Sequence, residues 1–139
     1  MNISNVMITV SDACELYLRL ENLQHSIHRQ LIARDITGLQ GSLRSQSNLL
    51  RLINDNTARR SGLMQRLGFP VNSRGMRQLL SKLPPEECRQ QLETWDRLQG
   101  LMFKCQMLSR KNCRIQARLQ KVSQRLLTSI ENNWTNALD

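Results

Sequence analysis

Three side chains near the start of the chain have the spacing of a metal site. Glu21, His25 and His28 are separated by four and three residues, which places them on one side of a helix. Together they could ligate a divalent metal ion. No further carboxylate or histidine is spaced to complete the site, so we expect polar residues on a solvated helix face and no bound metal.

The sequence lacks the other arrangements that carry catalysis. It has no nucleophile paired with a base, no glycine-rich phosphate-binding loop and no pair of acid/base carboxylates. The cysteines lack the C-x-x-C spacing of zinc and redox sites, and we expect free thiols at Cys14, Cys88, Cys105 and Cys113. We therefore predict that the protein is not an enzyme and uses no cofactor.

The charge of the chain is strongly positive and unevenly distributed. Twenty Lys and Arg residues against eleven Asp and Glu residues give a net charge of +9, which favours acidic partners. Residues 97–125 include eight basic residues and no acid. Five of these recur every seven positions and form what we call the basic stripe: Arg97, Lys104, Lys111, Arg118 and Arg125.

The elements that must position these residues are amphipathic helices. Apolar residues recur in steps of four and three, and no segment has the sustained period of two typical of a strand. We predict an all-α protein: a long antiparallel helical hairpin, coiled-coil-like, with an additional N-terminal helical segment and a short connector helix. A chain of 139 residues fits one domain. The expected helices span about 12–33, 36–67, 73–82 and 86–132.

Local signals set these boundaries. Asp12 and Glu15 have the spacing of a capping box, so the first helix is predicted to start at Asp12. The apolar pattern slips near Asp35, which predicts a bend or break around residues 33–38. Gly68 stands where a Schellman motif would end the second helix.

The connector and the last helix also carry clear signals. Ser73 is the expected cap of the connector helix. Its apolar side is expected to cover one end of the core through Met76, Leu79, Leu80 and Leu83. Pro84 and Pro85 precede two glutamates, a sequence typical of the first turn of a helix.

The last helix carries an apolar row that predicts packing against a partner helix. The row comprises Trp95, Met102, Cys105, Asn112, Ile115, Leu119, Val122 and Leu126. We expect residues 36–67 as the internal partner, whose flanks offer only Asp35 as an acid, so the basic stripe would remain largely unneutralised. Asn112 is either a buried amide that fixes the register or a solvated residue at the edge of the row.

The C-terminal part of this row extends beyond its expected internal partner and should be partly exposed. We predict partner binding there through an apolar set with basic flanking residues. The set is Ile115, Leu119, Val122, Leu126, Ile130, Trp134 and Leu138, flanked by Arg118, Lys121 and Arg125. Residues 1–10 lack the features of a signal peptide, and no apolar run is long enough to span a membrane, so we expect a cytoplasmic chain.

Several segments taken in order resemble the FlgN-type flagellar export chaperones. They are Ala33-Arg-Asp35 with Leu39, Gln46-Ser-Asn-Leu49-Leu50, Arg59-Arg60, Leu63-Met-Gln-Arg-Leu67-Gly68-Phe69, Trp95-x-x-Leu98, and Cys105-x-x-Leu108-Ser109-Arg-Lys-Asn112-Cys113-Arg-Ile115. The family usually has Lys at position 46 and N-x-x-N-G in the last helix, where this chain has Gln46, Ser109 and Cys113.

The resemblance implies a cytosolic export chaperone without enzymatic activity. Such a protein binds helical C-terminal segments of flagellar hook-filament junction proteins, prevents their premature assembly and delivers them to the type III export gate. With few residues after the last helix, Trp134 and Leu138 are the candidates for gate docking. Two alternatives remain open on charge and apolar pattern: a nucleic-acid-binding helical protein that uses the basic face of the last helix, and a homodimeric coiled-coil adaptor.

Overall fold

Four helices build the described part of the chain. The structure, a computed structural model, describes the backbone of residues 2–138 and the side chains of residues 2–132. The helices are α1 (Ile3–Ala33), α2 (Ile36–Arg66), α3 (Ser73–Leu80) and α4 (Pro85–Leu138). No strand occurs between residues 2 and 138. The predicted all-α class with a long helical hairpin is confirmed.

Helix α1 lies at the centre of the arrangement, and α2 and α4 both pack on it. Helix α2 runs antiparallel to α1, because the amide Nδ2 of Asn56 near its end donates to the carbonyl oxygen of Thr9 at 2.9 Å. Helix α4 runs parallel to α1, since its Asn112 amide donates to Gln24 O and its Thr94 carbonyl accepts from the Cys14 thiol.

The main neighbour of α4 therefore differs from the one we predicted. Residues 36–67 were expected to face α4, whereas the structure gives that place to α1. Helix α1 has more buried residues than α2, along its whole length. A helix with a wide apolar face buries most area when it packs on two neighbours, which favours the central position.

The start of α1 also differs from prediction. The helix begins at Ile3, not at Asp12, and Asp12 is an exposed residue inside it. Val6 and Val10 are fully buried in the core. Burial of this first segment stabilises the helix upstream of the apparent capping box, so tertiary packing outweighs the local signal.

The chain reverses between α1 and α2 where a bend or break was expected. Arg34 adopts the left-handed conformation with φ 55°. The Asp35 side chain caps α2 by accepting from the backbone N–H of Gly38 at 3.0 Å. A left-handed residue followed by an N-cap lets one helix end and the next begin within two residues.

The two ends of the α2–α3 connection are held by caps. Gly68 has φ +81°, and the N–H groups of Gly68 and Phe69 donate to Gln65 O and Met64 O, which confirms the predicted Schellman motif. The cap of α3 is Asn72 and not Ser73, because the Asn72 side chain accepts from Gly75 N at 2.7 Å.

Helix α3 covers one end of the core, as predicted. Its side chains Met76, Leu79 and Leu80 are fully buried in a cluster that joins the first half of α1, the end of α2 and the first turns of α4. On α4 the cluster uses Leu98 and Leu101, whereas the predicted row used Met102, which is 40% exposed. The buried residues of α4 in this cluster are three positions apart, at Trp95, Leu98 and Leu101. The buried face of α4 therefore differs by one position from the predicted heptad row.

Candidate partner-binding surface

Helix α4 extends beyond the helices that it packs against. Two hydrogen bonds fix the register of α4 on α1. The Cys105 thiol donates to Tyr17 O and the Asn112 amide donates to Gln24 O, and the two residues of each pair are 88 positions apart in the sequence. By this register the last residue of α1, Ala33, lies beside Lys121. Every described side chain from residue 121 to 132 is exposed. Among the described residues, no helix therefore packs along the part of α4 that follows Lys121.

The apolar residues predicted to bind a partner fall into two groups. Ile115 and Leu119 are half-buried against the rest of the molecule. The exposed group, which we call the terminal apolar row, comprises Val122, Leu126, Leu127 and Ile130. Leu126 is 60% exposed although a buried leucine is the usual state in a packed helix. The side chains of Trp134 and Leu138 lie outside the described residues.

A groove separates the terminal apolar row from the turn between α1 and α2. This end groove has a volume of about 220 Å³. Its apolar lining comes from Leu31, Ile36, Leu39, Leu119, Val122 and Leu126, and its polar rim from Gln30, Arg34, Asp35 and Ser123. The sequence did not indicate Ile36 and Leu39 as groove residues, because residues 36–67 were expected to pack against α4 and not to end beside its exposed part. Their apolar type next to the Asp35 cap was the only available signal.

The basic stripe is exposed along its whole length. The salt bridges of the described side chains lie elsewhere, at Glu21–His25, Arg77–Asp96, Arg89–Glu86 and Arg89–Glu93. Arg118, Lys121 and Arg125 therefore flank the terminal apolar row without an acidic partner among residues 2–132. An apolar row with unpaired cations at its side is suited to an amphipathic helix that carries acidic residues.

Asn112 is a buried amide, which decides between the two alternatives left by the sequence. It is 6% exposed, and its Nδ2 donates to Gln24 O at 2.9 Å. Within the described part of the chain, the Asn112 Oδ1 atom has no hydrogen-bond partner, and neither does Oε1 of Gln24. A buried amide that bonds to one carbonyl favours a single register of α4 on α1.

The thiols and the histidine cluster do not form a reactive site within the described residues. All four cysteines are free, and Cys14 and Cys105 are buried. Burial, with a smaller contribution from Glu21, raises the pKa of Cys105 to about 11, so the thiol is protonated at neutral pH. His25 Nε2 lies 3.9 Å from Glu21 Oε1, and no group of metal-ligating side chains occurs in the described part of the chain.

The family comparison decides what kind of protein has this surface. The model of the FlgN protein family matches residues 1–133. The chain belongs to the FlgN family. Members of this family are flagellar export chaperones, and the role of this chain is of that kind. The comparisons with curated proteins and with solved structures found no significant match.

Among the described residues of this FlgN-family chain, none of the helices combines enough length and apolar character to cross a bilayer.

Proposed function

We propose that this FlgN-family protein is a cytosolic export chaperone for flagellar hook-filament junction proteins. It binds their helical C-terminal segments, prevents premature assembly and delivers them to the type III export gate. The observation that carries this proposal is the terminal apolar row. Leu126 in this row is 60% exposed, on a helix that extends beyond the helices it packs against. Such an exposed row binds an amphipathic helix that would otherwise polymerise.

The apolar residues supply most of the binding free energy. Burying one exposed leucine or isoleucine side chain contributes about 1.5–3 kcal/mol. Leu126 and Ile130 lie one turn apart on α4, and the end groove adds Ile36 and Leu39 to the same contact. Part of this free energy is offset by ordering of the client helix, which keeps binding reversible and allows release at the gate.

The flanking cations set the orientation and the association rate. Arg118, Lys121 and Arg125 are exposed, so each gains little free energy from one ion pair. Their combined field attracts an acidic client segment and disfavours a basic one. Beside these cations, seven apolar residues are proposed to contact the client: Ile115, Leu119, Val122, Leu126, Ile130, Trp134 and Leu138.

Calorimetric titration with a C-terminal helical segment of a hook-filament junction protein tests this function. Leu126→Asp is expected to weaken binding by about 30-fold or more, because it places an unpaired charge in the apolar contact. Leu119→Asp should act in the same direction. Helix content by circular dichroism should change little for Leu126→Asp, since the Leu126 side chain is 60% exposed.

The matched control is Gln124→Asp, which adds the same charge two residues away at an exposed position. It should retain affinity within about twofold. If Leu126→Asp binds the segment as tightly as the unchanged protein, the terminal apolar row is not the client site.

The exposed and unpaired basic stripe favours one alternative, nucleic-acid binding. Contacts to several phosphates would give an affinity that falls by about 10³-fold or more between 50 and 200 mM salt. Fluorescence anisotropy with a DNA or RNA fragment at low salt measures this directly. Absence of binding at low salt excludes the alternative, and sedimentation of a monomer at micromolar concentration excludes the homodimeric adaptor.

A further inference from the structure

A second groove lies between α2 and α4, before the exposed end of α4. This lateral groove has a volume of about 540 Å³. Its floor is formed by α1 residues Tyr17, Leu20 and Gln24, and its walls by Leu50 of α2 and by Trp95, Gln99, Met102, Phe103, Cys105, Gln106 and Ser109 of α4. The groove exists because α2 and α4 pack on α1 and not on each other.

Helix α3 shows which kind of element covers such a surface. It buries three apolar side chains against α1 and α4 in the half of the molecule that precedes the groove. The end of the groove is marked by Trp95 Nε1 and Gln99 Nε2, which donate to Ser73 Oγ of α3 at 3.3 and 3.1 Å. Along α4 after Gln99, no element of the described chain covers the groove as α3 covers the preceding half, and Phe103 is 63% exposed.

The floor of the lateral groove contains an unused hydrogen-bond acceptor. Gln24 is 3% exposed, and its Oε1 atom is buried without a partner among the described residues. Because Gln24 lines the groove, rotation of its amide would present Oε1 to a donor from a bound molecule, and this bond would recover the free energy that an unpaired amide oxygen costs. The groove therefore combines exposed apolar walls with one polar atom that specifies a ligand.

The charges beside the groove select the class of ligand. Arg110 lies one turn after Gln106 and two turns after Phe103, so it borders the groove, and Arg114 follows one turn later. Neither has an acidic partner among the described side chains. With a net charge of +9 and no acid between residues 97 and 125, a second copy of this chain is a poor occupant.

We propose that the lateral groove binds an acidic amphipathic helix of the same client that binds the end of α4. This inference rests on the proposed function. Apolar client residues would contact Leu50 and Phe103, acidic residues would pair with Arg110 and Arg114, and one side-chain donor would bond to Gln24. Ser109 and Leu119, the nearest α4 residues of the two grooves, are about 15 Å apart along the helix, a distance that a ten-residue helical segment of the client would span.

Calorimetric titration with the C-terminal helical segment of a hook-filament junction protein separates the two grooves. Phe103→Asp is expected to weaken binding about tenfold. Gln24→Leu, which keeps the volume and removes the acceptor, should weaken binding about fivefold, because the client donor loses its partner. Ile8→Asp is the matched control: Ile8 is an exposed apolar residue of α1 that lines neither the lateral groove nor the end groove.

The outcomes distinguish this inference from the proposed function. Loss of affinity in Phe103→Asp and Gln24→Leu, with the affinity of Ile8→Asp unchanged and all three variants folded by circular dichroism, supports the lateral groove. If Leu126→Asp abolishes binding while Phe103→Asp and Gln24→Leu stay within twofold of the unchanged protein, the lateral groove is overturned and the function stands. If the segment does not bind the unchanged protein, both are overturned.

Discussion

The two halves of α4 differ in what covers them. At the first end, which we call the covered half, α3 packs over α1 and α4, and Leu79 and Leu98 are fully buried. At the other end, the open half, Phe103 and Leu126 are mostly exposed although they belong to the same helix. The covered half stabilises the fold, and the open half presents the surface that we propose for the client helix.

The largest expected effect is on stability in the covered half. Leu79→Ala should lower the free energy of unfolding by about 3 kcal/mol, because it leaves a cavity among fully buried side chains. Leu126→Ala in the open half should lower it by less than about 0.5 kcal/mol. Urea unfolding followed by circular dichroism measures both. If the two variants lose the same free energy of unfolding, the two halves do not differ in their contribution to stability.

The thiols offer a second comparison that needs no mutation. Cys113 in the open half is exposed, whereas Cys14 and Cys105 are buried and burial raises the pKa of both. At pH 8 we expect Cys113 to react with iodoacetamide about 100-fold faster than Cys105, which must first be exposed by opening of the fold. Peptide mass spectrometry over time gives the four rates. Similar rates at Cys105 and Cys113 would mean that α4 leaves α1 readily.

A smaller effect is expected at the Schellman motif, which directs the chain from α2 to α3. Gly68 has φ +81°, and an alanine there would adopt a strained conformation at a cost of about 1 kcal/mol. Thermal unfolding of Gly68→Ala should show this loss. Gly62→Ala is a suitable control, because a Cβ atom there meets nothing within 4 Å and α2 is helical at that position. A stable Gly68→Ala variant would show that the motif does not fix the approach of α3.

Features set by neighbouring residues were predictable from the sequence. The glycine stop at Gly68 and the apolar side of α3 depend on contacts within a few positions, and both are confirmed. The exposure of Leu126 also followed, because α4 is longer than any helix available to cover it. These signals required no knowledge of which helices pair.

Features set by packing between distant segments were not predictable. The capping signal at Asp12 was outweighed by burial of the residues before it, and the neighbour of α4 was assigned to the wrong long helix. Because of that assignment, Ile36 and Leu39 were not predicted to lie beside the exposed part of α4. The heptad pattern predicted Met102 as a buried residue, whereas the buried residue is its neighbour Leu101. The pattern fails here because this part of α4 packs in the same cluster as α3.

Hydrogen–deuterium exchange of the full chain, with and without a C-terminal helical segment of a hook-filament junction protein, tests the central claim most directly. The account predicts that the segment slows exchange in residues 99–132 and in residues 34–50, while the amides of α3 and of residues 3–16 do not change. Slowed exchange confined to α3 and the first half of α1, with residues 118–132 unchanged, would contradict it.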